Sequence, residues 1–94
     1  MTLSSEATKV DVKETEMSEE MVEESIAIAK EGLKRCNSDK DVASFVKDEF
    51  EKKYGSTWHC VVGSSFGSRV SYEVGNFVLL QIGRIFVMIF KCGY

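Results

Sequence analysis

Thr57-Trp58-His59-Cys60-Val61-Val62-Gly63-Ser64-Ser65-Phe66-Gly67-Ser68-Arg69-Val70-Ser71-Tyr72-Glu73 is the stretch on which the fold turns. It sets the single tryptophan beside the single histidine, alternates apolar and polar residues, passes a Gly/Ser turn and alternates again. That pattern predicts two neighbouring strands, Trp58–Gly63 and Phe66–Glu73. In the second, Ser68, Val70 and Tyr72 face one way and Arg69, Ser71 and Glu73 the other. At a sheet edge, the free backbone groups of such a strand can dock another chain.

Downstream the chain stays strand-like. Phe77–Ile82 and Ile85–Lys91 are rich in β-branched and aromatic residues, with a turn at Val74-Gly75-Asn76. Gly83-Arg84 is a two-residue hairpin loop with glycine first, as a type II′ turn requires. Phe77-Val78-Leu79-Leu80 and Arg84–Phe90 are apolar on both faces, the mark of strands lying between two layers.

Upstream, residues 1–8 are Ser-rich and expected to be a flexible N-terminus, with residues 9–94 forming a single domain. Lys9-Val10-Asp11-Val12-Lys13 alternates strictly and predicts a short edge strand. Ser18 can cap a first helix, with Glu19 and Glu20 where the helix dipole favours anions and Met17 and Val22 at staple positions. Met21, Ile28, Ala29 and Gly32, extended by Val22, Ile26 and Leu33, form its apolar stripe, and Lys34 and Arg35 close it. Asn37 is placed for a left-handed cap. Ser38-Asp39-Lys40-Asp41 starts a second helix whose inner face is Val42, Phe45, Val46, Phe50 and Tyr54, and Gly55 stops it. Asp48, Glu49, Glu51, Lys52 and Lys53 read as a solvated face. Two helices can cover one face of a sheet, and little chain is left for the other, which implies a second subunit.

Composition narrows the partners. The net charge of −3 is uneven: residues 1–31 hold nine acids and three bases, and the remainder six acids and nine bases. An acidic N-terminal third and no dense Lys/Arg cluster argue against nucleic acid, so proteins are the expected partners. The longest apolar run, Phe77 to Phe90, is interrupted by Gln81, Gly83 and Arg84 and is too short for a membrane span. Cys36, Cys60 and Cys92 have no paired spacing and no signal-like segment precedes them, which predicts reduced thiols in a cytosolic protein. His59 and Cys60 could pair as base and nucleophile only from one face, and adjacent strand residues point to opposite faces, so no enzyme is expected. Cys36, His59, Cys60 and Cys92 likewise offer no close ligand pair on one face, so neither metal nor cofactor is expected.

Met17-Ser18-Glu19-Glu20-Met21, Glu49-Phe50-Glu51-Lys52-Lys53-Tyr54, Thr57-Trp58-His59-Cys60-Val61-Val62-Gly63 and Phe66-Gly67-Ser68 resemble, in ungapped order, the eight-kilodalton cytoplasmic dynein light chain family. The resemblance runs from about Val10 to Gly93. It implies an α+β homodimer, two helices packed on an antiparallel β-sheet, with Phe66–Glu73 crossing over to complete the partner's sheet. His59, Ser65, Phe66 and Ser68 would then lie at the dimer interface. It also implies two grooves at that interface, each accepting an extended client peptide by strand addition. Such a dimer is a non-catalytic hub of the dynein motor complex, in the cytoplasm and on the microtubule cytoskeleton. The dynein intermediate chain is among its clients, and two grooves let it pair client chains.

Carried over singly, Phe66, Gly67, Ser68, Val70 and Glu73 match the family's groove strand and Phe77 a groove aromatic. Asp39 and Lys40 fall where the family caps the glutamine of a Thr-Gln-Thr type client motif. The departures gather there too: Arg69, Ser71 and Tyr72 stand for the family's tyrosine, threonine and histidine, and Leu79 and Gln81 for two groove tyrosines. Backbone pairing survives such changes and pocket chemistry does not, so an altered client preference is expected. The chain is also similar to tegument-associated light chains of flatworms, which implies an alternative: a dynein-independent tegument or cytoskeletal structural protein. Gly55-Ser56 replaces Asn-Pro, and Lys91-Cys92-Gly93-Tyr94 lacks the family's serine. For His59 two readings stand side by side, a space-filling histidine and a pH-sensitive dimer contact.

Overall fold

The structure, a computed structural model, describes residues 9–64 and 76–91. The expected strand Phe66–Glu73, Ser65 and residues 1–8 and 92–94 lie outside the described residues. The elements are β1 (Val10–Thr15), α1 (Glu19–Arg35), α2 (Asp39–Tyr54), β2 (Trp58–Gly63), β3 (Phe77–Ile82) and β4 (Ile85–Lys91). Both helices pack on an antiparallel sheet of order β1-β3-β4-β2, the α+β architecture expected from sequence.

The helix ends follow their cap chemistry. Ser18 Oγ accepts from the Met21 amide at 3.3 Å, and Ser38 Oγ from the Asp41 amide at 3.1 Å. Each hydroxyl satisfies one of the amides that a helix start leaves without a partner. Gly55, at φ 80°, ends α2. The end of α1 differs from expectation: no described residue other than glycine has a positive φ, so Asn37 takes no left-handed cap. Cys36 instead turns extended, at φ −111°, while its amide still donates to Gly32 O at 2.9 Å. Gly83, at φ 63°, makes the β3–β4 hairpin, and Ile82 and Ile85 pair across it. Arg84 stays at negative φ, as a type II′ turn has it.

The main core lies between helices and sheet. Ile28, Ala29 and Leu33 of α1 and Val42, Val46 and Phe50 of α2 meet Val78, Leu80, Ile82, Ile85, Val87 and Ile89. Phe50, Tyr54 and Trp58 form an aromatic corner, with Phe50 and Trp58 centroids 4.9 Å apart. At Gly32, a Cβ would stand 3.0 Å from the Phe45 ring, so the glycine sets how closely the helices approach. Ser25, absent from the predicted stripe, is fully buried in it, its hydroxyl donating to Met21 O at 2.7 Å. Back-bonding of this kind lets a serine sit inside a helix without leaving a polar group unpaired.

β1 does not alternate strictly: Val12 pairs with Leu80 and Glu14 with Leu79, so a β-bulge takes up Lys13. Beyond it, Thr15 Oγ1 accepts from the Met17 amide at 3.0 Å and donates to Phe77 O at 2.9 Å. The Glu16 amide reaches the same carbonyl at 2.9 Å. The turn from β1 into α1 is thereby tied to the first residue of β3.

Candidate functional site

Because strand side chains alternate, the sheet has a second face, turned away from the helices. Pairing across the strands lays it out in rows: Phe77, Phe90 and His59; then Leu79, Met88 and Val61; then Gln81, Phe86 and Gly63. Phe77, Met88 and Phe90 form a buried apolar cluster of their own, with Leu79 against it. Val61 is exposed, and Leu79, Gln81 and Phe86 are half-buried. The two-sided apolar character read from the β3 and β4 sequences is therefore realised as two separate clusters, one on each side of the sheet.

His59 belongs to this second face, where its ring stacks on Phe90 with centroids 5.3 Å apart and planes at 24°. Cys60, its neighbour in sequence, faces the other way and packs against the main core. Burial pushes the Cys60 thiol up to about 12, which leaves it protonated and a poor nucleophile at ordinary pH. The strand thus separates the two groups that an acid–base pair would need on one side. Among the described residues no three His, Cys, Asp or Glu side chains gather where a metal ion could be held.

β2 is the terminal strand of the sheet on one side, paired with β4 alone among the described residues. Its start is fixed from below. Glu51 Oε2 accepts from the Trp58 amide at 3.1 Å and from Lys47 Nζ at 2.7 Å. The Lys47 hydrogen bond and then that of the Trp58 amide hold the Glu51 carboxyl below its ordinary value. Glu51 is therefore an anchor between α2 and β2 rather than only a member of a solvated face.

Of the residues expected at a groove, Phe77, Leu79 and Gln81 are brought together on the second face, with His59 beside them. Asp39 and Lys40 are exposed in the first turn of α2, in the helical layer on the other side of the sheet. Ser65, Phe66, Gly67, Ser68, Arg69, Val70, Ser71, Tyr72 and Glu73 lie outside the described residues. Sequence reasoning missed two residues that share this face. Asp11, opposite Gln81, and Glu14, opposite Leu79, are both exposed on β1. Strict alternation would have sent Glu14 to the other side, and nothing in the sequence marks the bulge. A surface hollow lined by Arg35, Phe45, Asp48, Glu49, Glu51 and Lys52 is open and mixed in charge, and lies in the helical layer.

Comparison with known proteins agrees with this geometry. The family profile described as dynein light chain type 1 matches residues 9–92. The probable dynein light chain 2, cytoplasmic, of Caenorhabditis elegans is 51% identical over 86 residues, spanning 92% of this chain and 96% of its own. Among solved structures, the dynein light chain-like domain of the Fasciola hepatica calcium binding protein FhCaBP2 superposes with a TM-score of 0.83 at 23% identity, covering 99% of this chain and 100% of that one. Its mercury derivative gives a TM-score of 0.81 at 26% identity, covering 99% and 98%.

Proposed function

Because the chain belongs to the dynein light chain family, we propose that it works as a homodimeric, non-catalytic light chain that binds extended client peptides by strand addition. The observation that carries this reading is the second sheet face, where Phe77, Leu79, Met88 and Phe90 form an apolar surface on the side away from both helices. A partner subunit whose strand Phe66–Glu73 crosses over and adds beside β2 would extend the sheet at its terminal strand and cover that face. In this arrangement His59, Ser65, Phe66 and Ser68 meet at the interface. A groove on each side is framed by Phe66, Gly67, Ser68, Arg69, Val70, Ser71, Tyr72 and Glu73, with Phe77, Leu79 and Gln81 beside them. Asp39 and Lys40 would meet the client from a helix start.

Main-chain pairing supplies the affinity in strand addition, and side-chain pockets supply the choice. The dimer would hold two client chains side by side, among them the dynein intermediate chain, within cytoplasmic motor assemblies on microtubules. The C. elegans relative's name, which includes the word cytoplasmic, supports that location.

Leu79 and Gln81 stand where groove tyrosines are the family pattern, so pocket chemistry is altered while the backbone edge is kept. Calorimetric titration with a Thr-Gln-Thr peptide tests this. The expected result is two peptides per dimer, bound about tenfold or more weakly than a family member with both tyrosines binds them, a loss of two aromatic side chains' packing. Equal affinity would refute the altered preference. A dimer that binds neither this peptide nor a random library would be a structural subunit instead.

A further inference from the structure

The helical layer covers the sheet only in part. α2 packs on β2 and α1 on β3, and β4 runs between those two strands. Two strand spacings of about 4.8 Å match the roughly 8–10 Å at which helices pack side by side. β1 lies one strand beyond β3, and neither helix is seated on it. Its helix-side residues are apolar all the same. Val10 and Val12 pair with Ile82 and Leu80 of the main core, and Val12 is 42% exposed. α1 supplies the matching wall, with Val22 and Ile26 half-buried one turn apart. Where α1 starts and β1 ends, a hollow of about 350 Å³ opens, lined by Thr15, Met17, Glu19, Val22 and Glu23. Glu19 and Glu23 are exposed and make no ion pair among the described residues, whereas Glu24, Glu31, Glu49 and Glu51 each meet a lysine or arginine. Glu19 sits in the first helical turn, where the dipole favours an anion. Glu23 lies beyond that turn and repels Glu19 four residues away, so helix formation gives it no reason to be acidic.

From this geometry we propose that the ledge between α1 and β1 is a second docking surface, which takes an amphipathic helix of a partner protein. Its aliphatic stripe rests on Val12, Val22 and Ile26, and a lysine or arginine at one end meets Glu19 and Glu23. A helix fits better than a strand for two reasons. The bulge at Lys13 breaks the regular ladder that an added strand needs. An incoming helix, by contrast, continues the existing helical layer at its own spacing. The ledge lies on the opposite side of the sheet from Phe77, Leu79 and Phe90, so the proposal goes beyond strand addition and does not depend on it.

Selection on the full-length protein from a displayed library of helices tests it. Helices of about fourteen residues suffice, since they span the roughly 20 Å of a strand as long as β1. Recovered helices should carry Leu, Ile or Val at helical spacing and Lys or Arg at one end. They should bind Val12→Asp at least about tenfold more weakly, because a carboxylate then faces the apolar stripe. They should bind Glu23→Lys about two- to fivefold more weakly, with a smaller difference in high salt. Val61→Asp, on the opposite face, should leave them unaffected. All three positions are exposed, and circular dichroism melts confirm that each variant keeps its fold. Helices that bind Val12→Asp as well as wild type, or that ignore Glu23→Lys, overturn the inference. Recovery of none from wild type overturns it too, and two further measurements then name the cover. A sedimenting mass above the dimer that Val12→Asp abolishes makes the ledge an interface between copies. Binders recovered only on Leu3→Asp make the chain's own N-terminal residues the cover. None of these outcomes touches strand addition, which peptide calorimetry reads separately.

Discussion

At Glu51 one carboxylate oxygen accepts from both the Lys47 ammonium and the Trp58 amide, and this keeps the group ionised in the fold at pH values where a free side chain has begun to protonate. Since the folded value is depressed, the stabilisation is fully present above the ordinary 4.5 and is lost as pH falls from there through the folded value. Glu51→Gln keeps an acceptor for the amide and discards the charge. The variant should melt lower than wild type at neutral pH, and the gap between them should close as the solution is taken below about pH 4.5 in a thermal melt series. Half of this was open to sequence reading, since the four-residue spacing of Lys47 and Glu51 puts them on one helix face. The other half was not, because Trp58 comes to Glu51 only through the turn that brings β2 beneath α2. His59 and Cys60 show the opposite case: strand alternation alone sends them to opposite faces, and the structure has them so.

Between elements, the clamp at Thr15 joins β1, α1 and β3 through one hydroxyl that both donates and accepts. Thr15→Val preserves shape and removes both bonds, leaving the Met17 amide unpaired while Phe77 O keeps the Glu16 amide. The expected cost is about 1 kcal/mol, read as a lower urea midpoint at unchanged slope. Most element boundaries were legible: Ser18, Ser38, Gly55 and Gly83 are local signals that act within their own turn. What stayed hidden depends on residues far apart in the chain. The bulge at Lys13 exists because β1 must follow β3, more than sixty residues away. Asn37 had the right chemistry for a left-handed cap, but Cys36 closes the helix one residue earlier.

For the whole molecule, the proposed dimer brings two copies of His59 toward a twofold axis, and two protonated imidazoles there would repel and lose their burial. A fixed charge at that position, as in His59→Lys, should therefore favour the monomer if the interface is as proposed. Sedimentation equilibrium of the variant beside wild type checks this, and a variant dimer of unchanged mass would place His59 away from the interface. The two apolar faces of the sheet were legible in the chain as strands apolar on both sides, while the expected crossing strand falls outside the described residues. The two ends of the sheet bear on how assembly stops. At one end lies β1, short, charged and kinked by its bulge; at the other lies β2, regular, with Val61 exposed. In the proposed dimer such a subunit would have a valence of one: a single edge would be fit to join, so two copies would satisfy each other and growth would terminate. Were β1 as regular as β2, the same subunit would be divalent, and its natural product would be a filament.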